Sequence, residues 1–265
     1  MQYPVEIAHL SASSINSYLD CGLQFKFAKI EKRQPEAIAE ALVFGTTIHK
    51  VIELYHHERS MGKKLSVMDV TAFFEKSYAE TFEQNPGKIQ FKEGKDYDSA
   101  LLEGKSLLAT YVTQFPETGL KVIGLEKSFS FQIEGVPIPI VGVMDMVEED
   151  AGGNIVIVDH KTSSRSYSSD DIDKSLQLTI YGMAAKANGY ADREIMLRFD
   201  CLVKTKKPKF EQYYTVRTEE DELRAMKKIQ AVYRGIMQGV FIPNDTSWKC
   251  KGCSYQQCCR DWFAN

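Results

Sequence analysis

The sequence predicts a layered fold of the α/β (α+β) class with an N-terminal helical part. Up to residue 116, apolar side chains recur at helical spacing, and from residue 121 onward they alternate as in half-buried strands. The predicted order is helices, three strands, a helix, two strands and a helix. With 43% hydrophobic and 26% charged residues in a chain of 265, the composition is that of an ordinary globular protein.

The N-terminal part contains four segments with helical spacing, at residues 13–30, 36–60, 66–83 and 97–116. Serines at positions 11, 13 and 14 can cap the first segment, whose apolar stripe includes Ile15, Leu19 and Leu23. An Asn-Pro-Gly sequence at 85–87 separates the third segment from the fourth. We therefore expect residues 1–118 to be mainly helical.

The alternating pattern then predicts a meander of three strands, at residues 121–133, 137–148 and 155–161. A Glu-Gly turn joins the first two strands, and a Gly-Gly-Asn turn at 152–154 joins the second to the third. The elements predicted after the meander are a helix at 170–188, strands at 194–204 and 210–217, and a helix at 219–238. Residues 241–265 are rich in cysteine, and we predict that they are irregular.

The charge pattern constrains the partner only weakly. A net charge of −3 is mild evidence against a nucleic-acid partner, because such partners usually leave a basic footprint. Two basic clusters can form a local DNA-binding surface or be ordinary solvated faces: Lys26, Lys29, Lys32 and Arg33; and Lys204, Lys206, Lys207 and Lys209. The chain has no run of 18 apolar residues and no signal-like N-terminal segment, so we expect a cytoplasmic protein with no membrane partner.

Three polar residues lie near the ends of the predicted meander strands. Asp145 comes near the end of the second strand, and Asp159 and Lys161 come at the end of the third. Antiparallel pairing through the 152–154 turn would bring them to one edge of the sheet, with His160 on the opposite face from Asp159. Two carboxylates and an ammonium suit a divalent metal acting on a phosphate. The alternative is a buried Asp–Lys ion pair without a catalytic role.

Further polar residues lie on the predicted helices and on the first strand. Gln177 and Tyr181 are four residues apart and so share a helix face, where they can position a water or a phosphate oxygen or simply be buried. His49 can bind a metal as a neutral imidazole or be structural. Glu53, one turn later, and Glu126 are additional acids that can belong to the same site.

The cysteines indicate a second metal centre. The spacing Cys250-x2-Cys253-x5-Cys259 is compact, Cys258 is an extra thiol, and Cys21 is distant in sequence. Because no secretion signal is visible, disulfides explain this pattern poorly, and four thiolates on a metal fit better. Cys21 is the best candidate for the fourth ligand. Spacing alone does not separate zinc from an iron–sulfur cluster.

Six segments, taken in order, resemble the PD-(D/E)XK nuclease superfamily, in particular its RecB/AddB-like iron–sulfur branch, to which the CRISPR spacer-acquisition nuclease is similar. The matching segments are SASSINSYLDCGLQFKF with Cys21, FGTTIHKVIE with His49, GVMD with Asp145, VDHKT with Asp159 and Lys161, LQLTIYGMA with Gln177 and Tyr181, and CKGCSYQQCC with Cys250, Cys253 and Cys259. The resemblance covers nearly the whole chain. It implies a restriction-endonuclease-like core, a mixed sheet flanked by helices.

The resemblance also implies cofactors and roles. Mg²⁺ or Mn²⁺ would be held by His49, Asp145, Asp159 and the backbone carbonyl of His160, and the other catalytic residues would be Lys161, Gln177 and Tyr181. A 4Fe–4S cluster, with zinc as the less favoured alternative, would be held by Cys21, Cys250, Cys253 and Cys259, although the adjacent Cys258 can substitute for Cys259. We expect a single nuclease domain, 1–265, with a catalytic core at 119–240 and a cluster-binding tail at 241–265 that packs with Cys21.

The function implied by the resemblance is metal-dependent hydrolysis of DNA, with exonuclease action on ends or single strands. The chain has no Gly-x-x-x-x-Gly-Lys-Ser/Thr loop, so it resembles a stand-alone nuclease or one subunit of a complex. Implied settings are repair, recombination, and phage or CRISPR DNA processing, with a helicase, a recombinase or a CRISPR adaptation protein as partner. The alternative is a DNA-end-binding or recombination-complex subunit with weak or partner-dependent nuclease activity.

Overall fold

The structure is a computed structural model that describes residues 6–116 and 119–264. The chain forms two compact units. We call residues 1–37, 128–142 and 217–265 the terminal unit, and residues 38–127 and 143–216 the central unit. The single-domain interpretation stays a prediction.

Helices make up most of residues 6–116, as the sequence predicts. The helices of the described chain are α1 (Ala12–Asp20), α2 (Gly22–Phe25), α3 (Glu40–Ser60), α4 (Val67–Gln84), α5 (Tyr97–Gln114), α6 (Ser169–Asp173), α7 (Leu176–Ala185), α8 (Glu219–Met237) and α9 (Gln256–Ala264). Short π-helical turns follow α2 and α7, at Lys26–Ile30 and Lys186–Tyr190, and a 3-10 turn at Trp248–Gly252 precedes α9.

Capping explains where several helices begin. The side chains of Ser66, Asp96 and Thr218 each accept a hydrogen bond from the backbone amide of the residue three positions later. The side chain of that later residue in turn accepts a hydrogen bond from the backbone amide of the capping residue. These capping boxes satisfy amide groups that the first turn of a helix leaves unpaired. The first turn of α8 also carries four acidic residues, which the positive end of the helix dipole favours.

The strands form two sheets. They are β1 (Ile38–Ala39), β2 (Ile89–Gln90), β3 (Lys121–Ile133), β4 (Val136–Glu149), β5 (Ile155–Ser163), β6 (Ile195–Val203) and β7 (Lys209–Thr215). The larger sheet has the order β3-β4-β5-β6-β7, with β4–β5 and β6–β7 antiparallel and β5–β6 parallel. This mixed sheet with flanking helices confirms the predicted fold class and the three-strand meander.

The core of the central unit explains why β5 is apolar on both faces. Residues 155–160 of this strand are all buried, and its partners β4 and β6 lie on either side. A second apolar cluster joins α3, α4 and α5, in which the rings of Phe44, Phe74 and Tyr78 contact one another. Phe74 lies against Gly104, so closely that a Cβ at position 104 would come within 2.2 Å of the ring. The sheet and its helices are therefore tightly packed.

Three sequence predictions need correction. Residues 241–264 are only partly irregular, because a 3-10 turn and α9 form there and Tyr255, Cys258 and Cys259 pack at helical spacing against Leu23 and Phe27. The predicted helix 13–30 breaks where the backbone of Cys21 is extended. In place of the predicted helix 170–188 there are two helices, α6 and α7. Ser175 begins the second one, because its side chain accepts a hydrogen bond from the backbone amide of Leu178.

A smaller correction concerns α3, which begins at Glu40 rather than at residue 36. The two residues before it form β1, which pairs with β2 instead of continuing the helix. Among the described residues, no helix is long and apolar enough to cross a membrane.

Candidate active site

The site lies where β4 separates from β5. Their antiparallel pairing ends at Met146 and Val158, and the next free amide on β5, that of His160, donates to Asp145 Oδ2 at 2.7 Å. A side-chain carboxylate thus replaces a backbone carbonyl in the ladder. This arrangement brings Asp145 beside the end of β5, where the sequence predicts it.

Asp145 is surrounded by imidazoles. Its Oδ2 lies 3.3 Å from His49 Nδ1 and 3.5 Å from His160 Nδ1. Burial raises the pKa of this carboxyl, but hydrogen bonds from His160 and His49 outweigh burial, and the pKa falls well below its usual value. Burial likewise lowers the pKa of His49, and Asp145 more than offsets that effect, so the pKa of His49 is raised. Asp145 is therefore ionised at neutral pH.

Asp159, Lys161 and Gln177 form a closed triangle at the end of β5 and the start of α7. Lys161 Nζ lies 2.6 Å from Asp159 Oδ2 and donates to Gln177 Oε1 at 2.8 Å. Gln177 Nε2 in turn donates to Asp159 Oδ1 at 2.8 Å and to the hydroxyl of Tyr181 at 3.0 Å. Both amide protons of Gln177 are thereby used. The shared helix face of Gln177 and Tyr181 is thus joined to Asp159 by hydrogen bonds.

Burial and the attraction between Asp159 and Lys161 together set the charge states in this triangle. Asp159 is 1% exposed, and burial raises its pKa; the charge of Asp145 adds to the effect and that of Lys161 opposes it. Burial also acts on Lys161 by lowering its pKa, but the attraction of Asp159 is larger and the pKa is raised. Lys161 is consequently an ammonium at neutral pH, and it neutralises part of the carboxylate charge.

Further carboxylates are near Asp145. The pKa of Glu126 is raised first by burial and then by the negative charges of Asp145 and Glu53. Glu126 has a φ of +43°, a backbone conformation that is uncommon for residues other than glycine. Like charges gathered in one place are unfavourable unless a cation joins them. Within residues 6–116 and 119–264, however, no three His, Cys, Asp or Glu side chains converge closely enough to hold a metal ion as they stand.

Two residues behind Asp145, Tyr111 and His56, were not predicted from the sequence. The side chain of His160 points away from Asp159, as expected, and its Nε2 lies 3.3 Å from the hydroxyl of Tyr111 on α5. That hydroxyl lies 2.6 Å from His56 Nε2 on α3. The only sequence signal for His56 is its spacing of seven residues from His49, which puts both on one side of the same helix.

The terminal unit contains the predicted cluster cysteines. A cavity of about 550 Å³ is lined by Cys21, Cys250, Cys253 and Cys259, with Leu23, Phe27 and Phe263 among its apolar walls. Cys258 lies instead on a neighbouring cavity beside Arg33 and Trp262. The four cysteines thus share one space, and the extra thiol does not.

Electrostatics also groups these thiols. Burial is the first cause of the raised pKa of Cys259, followed by the charges of Cys21, Cys253 and Cys250. Asn244 contacts two of the thiols, because its amide donates to Cys21 Sγ at 3.4 Å and its carbonyl accepts from Cys250 Sγ at 3.3 Å. Cys201 is buried in β6, and burial raises its pKa to about 12, which fits the expected small hydrophobic residue.

The basic cluster of Lys204, Lys206, Lys207 and Lys209 lies at the turn between β6 and β7, and Lys204 has a structural role in it. Lys204 is half-buried, with its ammonium 3.8 Å from the centroid of the Phe44 ring and 3.8 Å from a carboxylate oxygen of Glu103. Lys206, Lys207 and Lys209 are exposed, although Lys209 lies 3.8 Å from Glu211. Three exposed lysines therefore remain candidates for contact with a polyanion.

Comparison with known proteins agrees with this geometry. The model of the PD-(D/E)XK nuclease superfamily matches residues 9–260. A crystal structure from Eubacterium rectale, of a protein named only provisionally as an exonuclease, superimposes with a TM-score of 0.55 and 13% identity, covering 92% of this chain and 88% of that one. The structure of SSO0001 covers 92% of each chain with 14% identity, but its TM-score of 0.36 is too low to bear on the fold. No curated protein matches. The family match spans nearly the whole chain, and the chain therefore belongs to the PD-(D/E)XK nuclease superfamily.

Proposed function

We propose that this protein is a metal-dependent DNA nuclease that acts as an exonuclease on DNA ends or single strands. The observation that carries the proposal is the closed triangle of Asp159, Lys161 and Gln177 beside the ionised carboxylate of Asp145. An ion pair with a purely structural role would not need a second carboxylate at the open end of the strand pair. Membership of the nuclease superfamily supports the same chemistry.

The residues that would hold Mg²⁺ or Mn²⁺ are His49, Asp145, Asp159 and the backbone carbonyl of His160. Their oxygen and imidazole donors suit these ions, and the carboxylate charges that raise the pKa values of Asp159 and Glu126 favour a cation between them. When bound, such an ion polarises the scissile phosphate and lowers the pKa of a coordinated water.

The protein's own groups would complete the reaction. Lys161, held as an ammonium by Asp159 and Gln177, would stabilise the charge that develops on the phosphate. Its raised pKa argues against a role as the base. Gln177 would fix the direction of the ammonium, and the Tyr181 hydroxyl beside it would contact the substrate backbone.

We also propose a 4Fe–4S cluster in the terminal unit, with Cys21, Cys250, Cys253 and Cys259 as ligands. These four thiols line one cavity of about 550 Å³, which has room for a multi-atom cluster, and the cluster is preferred to zinc because the sequence resembles the iron–sulfur branch of the superfamily. The cluster would be structural, since phosphodiester hydrolysis transfers no electrons.

The test is cleavage of end-labelled single- and double-stranded DNA, linear and circular, with Mg²⁺, Mn²⁺ or EDTA. Asp159→Ala and Lys161→Ala are compared with wild type, and with Lys228→Ala, an exposed lysine on α8, as the control. Metal-dependent degradation of linear DNA alone, lost in both site variants and kept in the control, supports the proposal. Cutting of circles would make the protein an endonuclease. A folded, cluster-loaded wild type that binds DNA ends without cleaving them would instead favour a binding subunit.

The biological setting follows only from this chemistry. An intracellular nuclease acting on ends would serve repair, recombination, or phage or CRISPR DNA processing. A helicase or a recombinase would be a natural partner, because either would supply single strands. A CRISPR adaptation protein is the third candidate.

A further inference from the structure

A buried chain of polar contacts leads from Asp145 into the helices of the central unit. Asp145 Oδ2 lies 3.5 Å from His160 Nδ1, His160 Nε2 lies 3.3 Å from the Tyr111 hydroxyl, and that hydroxyl lies 2.6 Å from His56 Nε2. None of the steps described above uses His56, Tyr111 or the His160 ring. The chain nevertheless ends on a candidate metal ligand.

The donor–acceptor direction along these contacts follows from His56, which lies at the end farthest from Asp145. Within the described residues, His56 Nδ1 is buried and has no hydrogen-bond partner. A bare ring nitrogen there costs less than a buried N–H without an acceptor, so the His56 proton belongs on Nε2. His56 therefore donates to Tyr111, Tyr111 donates to His160 Nε2, and the proton of His160 remains on Nδ1, facing Asp145. Every donor in the chain then has an acceptor.

The surroundings leave these rings little freedom. His56 and Tyr111 are each 1% exposed and His160 is 4% exposed. The ring of Phe115 lies 4.8 Å from that of His56 and 5.2 Å from that of Tyr111, and the ring of Phe210 lies 4.9 Å from that of Tyr111. A chain packed this closely cannot easily reorient, so it can hold a carboxylate in one direction.

We propose that His56 and Tyr111 are positioning residues that, through the His160 imidazole, fix the Asp145 carboxylate for binding a divalent metal. The inference rests on the proposed function, in which Asp145 is a ligand. His49, the His160 ring and the His160 amide all contact Oδ2, so within the described part of the chain Oδ1 is the oxygen that remains for the ion. Groups that orient metal ligands in this way typically change metal affinity by about 10- to 100-fold when they are removed.

The decisive variant is Tyr111→Phe, which removes one hydroxyl and keeps the ring. Tyr78→Phe is the matched control, because Tyr78 is equally buried in the same unit and its hydroxyl donates to Glu40 at 2.7 Å, away from the site. Mn²⁺ affinity is measured from the EPR signal of free Mn²⁺ titrated with protein, alongside thermal unfolding. We expect about 10-fold weaker Mn²⁺ binding for Tyr111→Phe and unchanged binding for Tyr78→Phe, although both lose stability.

Kinetics give a second measurement. With the metal site saturated, cleavage by Tyr111→Phe is expected to recover most of the wild-type rate, because the variant weakens binding rather than chemistry. If Tyr111→Phe does not fold, His56→Leu and His56→Gln replace it. The glutamine keeps an N–H donor for Tyr111 and is expected to bind Mn²⁺ several-fold more tightly than the leucine. Equal affinities in that pair, or wild-type affinity in Tyr111→Phe, would overturn the inference.

Asp145→Asn separates the two proposals. If wild type binds Mn²⁺, Asp145→Asn does not, and Tyr111→Phe binds as wild type does, the positioning role is wrong and the nuclease proposal stands. If wild type neither binds Mn²⁺ nor cleaves DNA, the proposed function fails and the positioning role fails with it.

Discussion

In the central unit the candidate catalytic side chains are joined to one another by hydrogen bonds and an ion pair, whereas in the terminal unit the four cysteines surround a cavity. Asp159 has contacts at both of its oxygens, and Lys161 and Gln177 complete a triangle with it. The cysteines are partly exposed, and the thiols of Cys21 and Cys250 make only long contacts with Asn244, at 3.4 and 3.3 Å. One site is held by protein contacts, and the other is held mainly by the backbone around a space.

The difference indicates two relations between metal and fold. Side chains that already position one another need little reorganisation when an ion or a phosphate arrives. Thiols around a cavity gain their mutual geometry only from what binds them, so binding free energy there becomes folding free energy. We therefore expect substitutions in the central site to impair chemistry and substitutions of the cysteines to impair stability.

The largest expected effect is that of Asp159→Asn. The substitution removes a carboxylate from the proposed metal site but keeps its shape and its bond to Gln177, so cleavage should fall by about 10³-fold or more while the fold remains. Cleavage rates and circular dichroism measure the two quantities. Asp170→Asn, which alters an exposed carboxylate on α6, is the control. Retention of more than a tenth of the activity by Asp159→Asn would remove Asp159 from the catalytic set.

The next comparison is between Cys259→Ser and Cys258→Ser. Only Cys259 shares the cavity with the other three thiols, so Cys259→Ser should lose most bound iron and visible absorbance and unfold at a lower temperature. Cys258→Ser should keep all three properties. Anaerobic purification, iron analysis and thermal unfolding test the pair. The reverse result would make Cys258 the ligand, and a preparation containing zinc without iron would replace the cluster by a zinc site.

A buried ion pair in the central unit and a half-exposed one in the terminal unit should differ in how much they contribute to stability. Arg198 is fully buried in the central unit between Asp200 and Glu148, so Arg198→Leu should cost about 3–5 kcal/mol by leaving two buried carboxylates without their cation. In the terminal unit, Lys249 and Asp20 are half exposed, and Lys249→Ala should cost at most about 1 kcal/mol. Denaturant unfolding measures both variants. Similar losses would mean that burial does not distinguish these pairs.

The smallest expected effects are the changes in stability when alanine replaces two glycines that differ in packing. Gly104→Ala brings a methyl group within 2.2 Å of the Phe74 ring and should cost about 1–3 kcal/mol, despite the higher helix propensity of alanine. Gly252, near the cysteines, has no neighbour within 4 Å of an added Cβ among the described residues, so Gly252→Ala should change stability by less than about 0.5 kcal/mol. Thermal unfolding of the two variants decides this. A neutral Gly104→Ala would show that the helical layer is less rigid than its contacts indicate.

Local sequence patterns predicted most of the fold. Helical spacing of apolar residues predicted α3, α4, α5 and α8 to within a few residues, because this signal acts within one or two turns. The turn at 152–154 predicted that β4 and β5 pair and bring Asp145 close to Asp159. The cysteine tail was predicted poorly, because composition concealed the helical spacing of Tyr255, Cys258 and Cys259.

The sequence by itself determined the fold class, the meander and the identity of the polar residues near its strand ends, since each depends on neighbours in the chain. Only the tertiary structure decided that His160 faces Tyr111 and His56, that Gln177 closes the triangle with Lys161, and that Cys258 lies outside the cavity. These contacts join residues from different helices and strands. No local pattern encodes them, because they arise only when burial of apolar faces brings those elements together.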